Sequence, residues 1–322
     1  MAAGAGLSQP PVVLINTANA ITQKYFAPLL ADSIFKPSPT LWRMTRQGKK
    51  LEGGGSLTWP IISQEETSGG AYYGAQNLNT DSFDSVTPAE LQWRFYYQTI
   101  AIPYTDYLLN DGAFQSVSLI RAKEEIAMGS LLQKLARAVY GVSPNNTSID
   151  LDSIITALSG SGSYAGITIN TTYWECNGGT GPTSGGAVSL ANMQTDYGSA
   201  TYGNEEPDSI ITTQSGWNAY WVLLQAQQRF MRDEETTRGG FKNHLMFNNA
   251  VVLHDQFVPA GDMVMLTSKY ARPVFHEKDY FKVDPFIRPT GQRVIVSQIW
   301  VTMNLRFLTL RQHALRTGIS NA

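Results

Sequence analysis

The feature that most constrains the fold is a pair of strand-like segments separated by a long polar stretch. Ser56 to Ile62 has the composition of a β-strand, and so does Leu91 to Ile102. In the second segment, successive side chains define two different faces, which is the period of two expected of a strand. The stretch between them is rich in Gly, Ser, Asn and Thr. The sequence therefore predicts a long β ribbon with an elaborate tip.

This ribbon places aromatic side chains on a surface that its own hairpin cannot cover. An isolated two-stranded ribbon is only marginally stable in water. It can fold back over its own domain, or it can extend onto a neighbouring subunit, where aromatic anchors tend to contribute most of the binding energy. We expect the second arrangement. The candidate subunit-interface residues are Trp59, Tyr72, Tyr73, Trp93, Phe95 and Tyr97.

The composition favours a protein that associates with copies of itself. Hydrophobic residues make up 43% of the 322 residues, charged residues only 16%, and the formal net charge is -2. Soluble domains usually carry about 25% charged residues. Because an unpaired charge costs free energy when an interface desolvates it, few charges together with 11% aromatic residues are typical of an assembly component.

The rest of the chain predicts a long helix followed by a mixed α/β region. Residues 115–140 have apolar residues at helical spacing, and Gly141 stands where a helix-terminating glycine is expected. Further on, Asp208 to Thr213 predicts a buried strand, and Ser215 can cap the helix that follows. A long pair of strands is predicted from Gln292 to Leu310. The apolar stripe of the long helix is Ile120, Met128, Leu131, Leu132, Leu135 and Val139.

No constellation of residues in the sequence supports a catalytic, metal or cofactor site. The glycine-rich stretch Gly160 to Gly166 departs from the dinucleotide-binding spacing, and no apolar strand precedes it. The sequence contains no phosphate-loop motif and no nucleophile elbow. Cys176 is the single cysteine, and the four histidines are far apart, although His254 and His276 can meet if their strands are neighbours. We therefore predict no enzyme activity, no metal and no cofactor.

A basic cluster lies before the ribbon. Its members, Arg43, Arg46, Lys49 and Lys50, can contact nucleic-acid phosphates or a neighbouring subunit. The preceding segment, Thr17 to Phe35, predicts an arm with short helical pieces. Residues 1–9 lack a signal-peptide pattern, and no apolar run in the sequence approaches the roughly 20 residues that span a bilayer. We expect no membrane association.

The serial order of these parts resembles the major capsid protein of tailed phages, which has the Hong Kong-type capsid fold. The resemblance covers the chain from Ile15 to Gly318 and rests on order, because this family has no short diagnostic motif. The segments that carry it are Tyr173-Trp174, Pro207 to Thr213, Leu245 to Asn249, Val251 to Asp255, Pro259 to Thr267, and Gln298-Ile299-Trp300 with Met303-Asn304-Leu305.

This resemblance implies an α+β fold in four parts. They are an N-terminal arm at residues 1–47, an extended β-hairpin loop at 48–105, a peripheral domain with a spine helix and closing strands at 106–145 and 291–322, and a mixed α/β axial domain at 146–290.

The resemblance also implies a structural function. Copies would assemble as hexamers and pentamers into an icosahedral shell that encloses the double-stranded DNA of a phage without reading its sequence. The implied partners are other copies, a portal protein, and separate scaffolding and decoration proteins, and the implied location is the virion, assembled in the host cytoplasm. An encapsulin-like compartment shell has the same fold and is an alternative. A β-rich tail or glycan-binding protein is an alternative from another class.

Overall fold

The computed structural model describes residues 38–79, 84–109, 119–142, 149–169, 173–225 and 245–320. The predicted arm at Thr17 to Phe35 lies outside these residues. The chain divides into two compact units: the smaller contains the described residues of 96–133 and 279–301, and the larger contains those of 37–95, 134–278 and 302–322. The predicted limits of the four domains stay a prediction.

Helices and strands are mixed along the described part of the chain. The helices are α1 (Pro39–Gln47), α2 (Tyr104–Leu109), α3 (Leu119–Val139), α4 (Ile154–Ala157), α5 (Leu190–Ala200) and α6 (Gln214–Gln225). The strands are β1 (Lys49–Leu51), β2 (Leu57–Ile62), β3 (Val86–Leu91), β4 (Arg94–Pro103), β5 (Ser163–Tyr164), β6 (Ile167–Thr168), β7 (Thr183–Ser184), β8 (Ser209–Thr212), β9 (Leu245–Phe247), β10 (Ala250–His254), β11 (Met263–Leu266), β12 (Ala271–His276), β13 (Lys282–Val283), β14 (Val294–Phe307) and β15 (Ala314–Thr317).

The core of the larger unit is built on a six-stranded sheet with the order β7-β15-β11-β8-β10-β9. β8 is parallel to β10 and antiparallel to β11, and all of its residues are buried, which confirms the predicted buried strand. A strand covered on both faces needs consecutive apolar side chains, which Ile210 and Ile211 provide. Helices α5 and α6 add Met193, Tyr197 and Tyr220 to the same core.

A second sheet contains β1, β12, β14, β13 and β4. In the larger unit, β1 is parallel to β12, and β12 is antiparallel to the end of β14. In the smaller unit, β13 is antiparallel to an earlier part of β14. β4 also pairs with β14. The long strand β14 is therefore the common member of these pairings.

The closing region is one long strand and not the predicted pair of strands. β14 ends at Phe307, and the next strand, β15, joins the six-stranded sheet between β11 and β7. The chain turns after β14 because the Leu308 amide donates to the Tyr270 carbonyl (2.8 Å) and the His313 amide donates to the Leu310 carbonyl (3.1 Å). These bonds are long-range or turn contacts, which an alternating sequence pattern does not reveal.

Both predicted strands of the ribbon are confirmed for most of their length, but the predicted pairing of one with the other is wrong. β2 and β3 pair along their whole length as an antiparallel hairpin. The predicted second strand, Leu91 to Ile102, is interrupted at Gln92 and Trp93, and its remainder is β4, which pairs with β14 and not with β2. Side chains alternate on both sides of the interruption, so the pattern alone could not locate it.

The predicted long helix is α3 over its described residues; residues 115–118 are not described. Leu131, Leu135 and Val139 are buried as predicted, but Leu132 is 39% exposed, so its place in the apolar stripe is wrong. Gly141, with φ +76, ends the helix as predicted. No helix among the described residues has the length and apolar character of a membrane span.

Side-chain caps set several helix starts in the larger unit. Ser38 accepts a hydrogen bond from the Leu41 amide at the start of α1 (3.2 Å). At α6, the Thr213 hydroxyl accepts from the Gly216 amide (3.2 Å), so the prediction that Ser215 caps this helix is wrong. Ser215 lies within the first turn, two residues after the capping position.

Candidate functional site

The aromatic side chains nearest the hairpin's origin are covered by their own chain. Trp93 is 9% exposed; its indole nitrogen donates to the Gly54 carbonyl (2.9 Å), and its ring meets the His276 ring edge-on at 5.5 Å. Trp59 is 7% exposed, with the Arg306 guanidinium 5.9 Å from its ring centroid. Both rings are therefore already largely desolvated within one subunit, and their assignment to a subunit interface stays a prediction.

A buried asparagine holds the chain where β3 passes into β4. Asn304 is fully buried, and its amide nitrogen donates to the Gln92 carbonyl (2.8 Å) and to the Asp152 carboxylate (2.9 Å). Its side-chain oxygen accepts from the amides of Asp152 (3.3 Å) and Leu305 (2.7 Å). Asp152 also lies 3.6 Å from the Arg94 guanidinium. We call Trp59, Trp93, Asn304 and these contacts the hairpin base.

The sequence analysis did not predict the role of Asn304. It named this residue only within one of the segments that resemble the capsid family. The available signal was its position. Asn304 is a polar residue inside the strand Val294–Phe307, whose neighbouring positions Met303 and Leu305 are apolar and buried. A buried polar side chain in such a place must be hydrogen-bonded, and so it points to a structural junction.

The other end of the hairpin is exposed. The hairpin tip comprises residues 63–79 and 84–85 of the described chain, and it presents Tyr72 (68% exposed) and Tyr73 (88% exposed) to solvent. Ser63 closes the tip by donating its amide proton to the Ser85 carbonyl (2.8 Å). Both tyrosines stay predicted interface residues.

Two further predicted interface residues lie on β4. Phe95 is 69% exposed and Tyr97 is 57% exposed, on the face of the strand opposite the buried Ile100 and Ile102. The Tyr97 ring packs against the Trp300 ring of β14, with 5.7 Å between the centroids. Their assignment to a subunit interface also stays a prediction.

The residues of the basic cluster lie in different environments in the structure. The Arg43 guanidinium donates to the Asp208 carbonyl (3.3 Å) and lies 3.7 Å from its carboxylate, so Arg43 ties α1 to the start of β8. Arg43 is nevertheless partly exposed, so its assignment as a residue facing the genome or a neighbour stays a prediction. The Arg46 guanidinium lies 5.0 Å from the Trp42 ring centroid, while Lys49 and Lys50 are exposed on β1. For Arg46, Lys49 and Lys50 the same assignment also stays a prediction.

The single cysteine and the three described histidines are buried or packed against aromatic rings. Burial raises the pKa of the Cys176 thiol to about 12 and lowers the pKa of His313 to about 3. His254 and His276 belong to different sheets, so they do not meet as the sequence allowed; each packs edge-on against a tryptophan. No group of His, Cys, Asp and Glu with metal-binding geometry occurs among the described residues.

No protein-family model matches this chain, and no curated protein sequence matches it. Solved structures do. The chain is similar to the capsid of cyanophage A-1(L), with a TM-score of 0.69 and 16% identity over 92% of this chain and 97% of that one. It is similar to the holo-SrpI encapsulin complex from Synechococcus elongatus PCC 7942, with a TM-score of 0.58 and 10% identity over 97% and 96%. It is also similar to the capsid of a native GTA particle, with a TM-score of 0.58 and 10% identity over 92% and 96%.

These likenesses define the fold. The chain has the α+β Hong Kong-type capsid fold, which confirms the fold predicted from the resemblance. In each comparison, more than nine-tenths of this chain and of the other chain are covered, so the likeness concerns the whole architecture and not a shared fragment. Structural likeness at sequence identities of 10 to 16% establishes the fold but does not, by itself, establish the activity.

Proposed function

We propose that this protein is the major capsid protein of a tailed phage. Its copies assemble as hexamers and pentamers into an icosahedral shell around double-stranded DNA. The observation that carries the proposal is the likeness to the cyanophage A-1(L) capsid, which covers 92% of this chain and 97% of that one.

The exposed apolar surface of the hairpin supports self-association. Ile62, at the end of β2, is 76% exposed, and Leu78, which belongs to the hairpin tip like the two tyrosines, is 63% exposed. Soluble monomers seldom keep large apolar side chains together in water, and such patches usually mark a binding surface. In a shell, a neighbouring copy covers this surface.

The encapsulin-like shell is the second candidate, since one similar structure is an encapsulin. The capsid is favoured because the cyanophage capsid gives the higher TM-score, 0.69 against 0.58. The contents of native particles separate the two candidates: DNA supports the capsid, and a protein cargo supports the compartment. No observation favours a tail or glycan-binding protein.

The finer parts of the proposal follow from the role of a shell subunit. The protein acts in the virion without catalysis and without a cofactor. Its partners are other copies, a portal protein, and separate scaffolding and decoration proteins. Packaged DNA is held without sequence recognition, in keeping with the net charge of only -2.

Electron microscopy of the purified protein tests the proposal directly. We expect closed shells with fivefold and sixfold clusters. Small oligomers or fibres, with no closed shell under any assembly condition, would contradict it.

A hairpin variant tests how assembly depends on the tip. Residues 64–85 are replaced by Asn-Gly, which leaves β2 and β3 joined by a short turn of a type that hairpins favour. Because the hairpin base is untouched, we expect a folded subunit that assembles poorly. Normal particles at normal yield would show that the tip has no part in assembly.

A further inference from the structure

Two arginines share one aromatic ring in the smaller unit. The guanidinium carbons of Arg288 and Arg293 lie 4.6 Å and 4.7 Å from the centroid of the Tyr104 ring. The Tyr107 ring stacks on Tyr104 with 6.0 Å between the centroids and 23° between the planes. We call these four residues the arginine–tyrosine site.

The backbone fixes this site. The Tyr104 amide donates to the Arg293 carbonyl (3.0 Å), so the start of α2 is tied directly to one of the arginines. The other arginine follows Ile287, whose amide and carbonyl both bond to Val296 of β14 (2.9 Å each). Both arginines are therefore held near the Tyr104 ring by paired backbone.

The charge of the site is not balanced within the described residues. Arg288 and Arg293 are both exposed, and neither makes an ion pair with a described carboxylate. Asp106, two residues beyond Tyr104, is buried and makes no ion pair with either arginine. The electron-rich face of a tyrosine attracts a cation, but it does not remove the repulsion between two cations. An anion that approaches both guanidinium groups reduces this repulsion.

The chemistry of guanidinium favours a carboxylate or phosphate as that anion. Arginine presents a planar fork of N–H donors that matches such groups in a bidentate way. The chain itself carries a matching acidic surface on the hairpin tip. Glu65 and Glu66 are exposed there, and neither makes an ion pair with another described residue.

The two surfaces match in more than charge. The hairpin tip combines two adjacent carboxylates with two exposed tyrosines, Tyr72 and Tyr73. The arginine–tyrosine site combines two guanidinium groups with two stacked tyrosines. Tyrosine and arginine are the residue types that most often dominate binding energy at interfaces. This double match favours a protein surface over nucleic acid as the occupant.

We infer that the arginine–tyrosine site of one copy receives Glu65 and Glu66 of the hairpin tip of a second copy. This inference rests on the proposed function, since it needs copies that assemble. It names the residues on both sides of one contact in the shell. The contact is heterologous, because different surfaces of the same chain meet, and such contacts form rings when their rotation closes.

A charge swap tests the inference. In the first variant, Arg288→Glu and Arg293→Glu are combined, and light scattering should show that the concentration needed for half assembly rises by about tenfold or more. In the second, Glu65→Lys and Glu66→Lys are added, and assembly should return towards the wild-type curve. In a third variant, Glu65→Lys and Glu66→Lys are made without the arginine substitutions, and assembly should be impaired as in the first variant.

Matched controls separate a specific contact from a change of net charge. Lys278→Glu with Lys282→Glu changes the charge of two other exposed residues by the same amount and should leave assembly near wild type. Glu52→Lys with Glu90→Lys restores the net charge of the arginine variant without touching the tip, and it should not rescue assembly. A circular dichroism melt of each variant verifies folding.

Three results would overturn the inference. Normal assembly of the arginine variant shows that the site is not used. Equal rescue by the tip swap and by the control swap shows an effect of net charge only. Normal assembly with a loss of packaged nucleic acid shows that the anion is phosphate. By contrast, a wild-type protein that forms no shells contradicts the proposed function itself.

Discussion

The hairpin base and the hairpin tip belong to one hairpin, but they differ in how far their side chains are buried by the rest of the subunit. At the base, Trp93 and Trp59 are nearly buried and Asn304 has a partner for each of its side-chain polar atoms. At the tip, Tyr73 is 88% exposed. The base is therefore largely covered within one subunit, although the buried indole nitrogen of Trp59 has no hydrogen-bond partner among the described residues, whereas the tip is exposed to solvent.

This difference separates a role in folding from a role in association, which the sequence pattern could not tell apart. Aromatic residues along the ribbon looked equivalent as interface anchors, but those near the base contribute to folding and those at the tip are available for association. A change at the base should lower the stability of a single subunit. A change at the tip should leave that stability unchanged and alter assembly.

The largest expected effect is at the base. Trp93→Ala removes a buried ring and its hydrogen bond to Gly54, and it should lower the free energy of unfolding by about 3 to 5 kcal/mol. Phe95→Ala, two residues along and 69% exposed, is the matched control and should change it by less than about 0.5 kcal/mol. Urea denaturation of the unassembled subunit measures both. If Trp93→Ala and Phe95→Ala lowered the free energy of unfolding equally, the hairpin base would be no more important for folding than the exposed face of β4.

Acid should weaken the body of the subunit and not the tip. Burial lowers the pKa of His313 from 6.5 to about 3, so the unfolded chain binds the extra proton between these pH values. The free energy of unfolding should therefore fall as the pH drops below 6.5, by up to about 1.4 kcal/mol per pH unit from this group.

Replacing residues 64–85 by Asn-Gly should leave this pH dependence unchanged, because His313 lies outside the hairpin. His313→Asn keeps an acceptor for the Thr267 amide and should flatten the dependence. Thermal melts from pH 4 to pH 7, a range of about 3 units chosen to cover the titration, measure both. A steep dependence that survives His313→Asn would assign acid sensitivity to other groups.

A moderate effect is expected at the junction of β3 and β4. Asn304→Ala leaves the Gln92 carbonyl without its buried donor and should cost about 1 to 3 kcal/mol of unfolding free energy. Gln92→Ala keeps that carbonyl and removes only an exposed side chain, so it should be nearly neutral. If both substitutions were neutral, the asparagine would not hold the junction.

The smallest effect on stability is expected at the tip. Tyr73→Ala should change the free energy of unfolding by less than about 0.5 kcal/mol, since the ring is in water in the single subunit. The same substitution should slow assembly measured by light scattering, and Tyr73→Phe should slow it less. A large loss of stability would mean that the tip packs on its own subunit.

Much of the fold followed from the sequence because it depends on local pattern. The first hairpin strand, the buried strand β8 and the end of α3 at Gly141 were predicted correctly, since alternation, a continuous apolar run and a terminal glycine are all properties of neighbouring residues. The interruption at Gln92 and the end of β14 were not predicted. Both depend on hydrogen bonds between residues far apart in the chain.

The candidate site was predicted less completely than the fold. Residue type indicated that aromatic side chains of the ribbon were important, but type does not determine exposure: Trp59 is covered and Tyr72 is not. Likewise, Arg43 looked equivalent to its basic neighbours until Asp208 was found beside it. The arginine–tyrosine site joins residues almost 190 positions apart, and no local pattern contains it.

The sequence by itself determined which segments form strands and helices, the order in which they follow, and the scarcity of charge that suits a surface covered by copies. These properties are fixed by side-chain period and composition along the chain. Only the tertiary structure decided which aromatic rings are already buried, which charges are already paired, and where β3 gives way to β4. Burial and pairing depend on residues that the fold brings together, so the exposed tip and the closed base of one hairpin become distinguishable only in three dimensions.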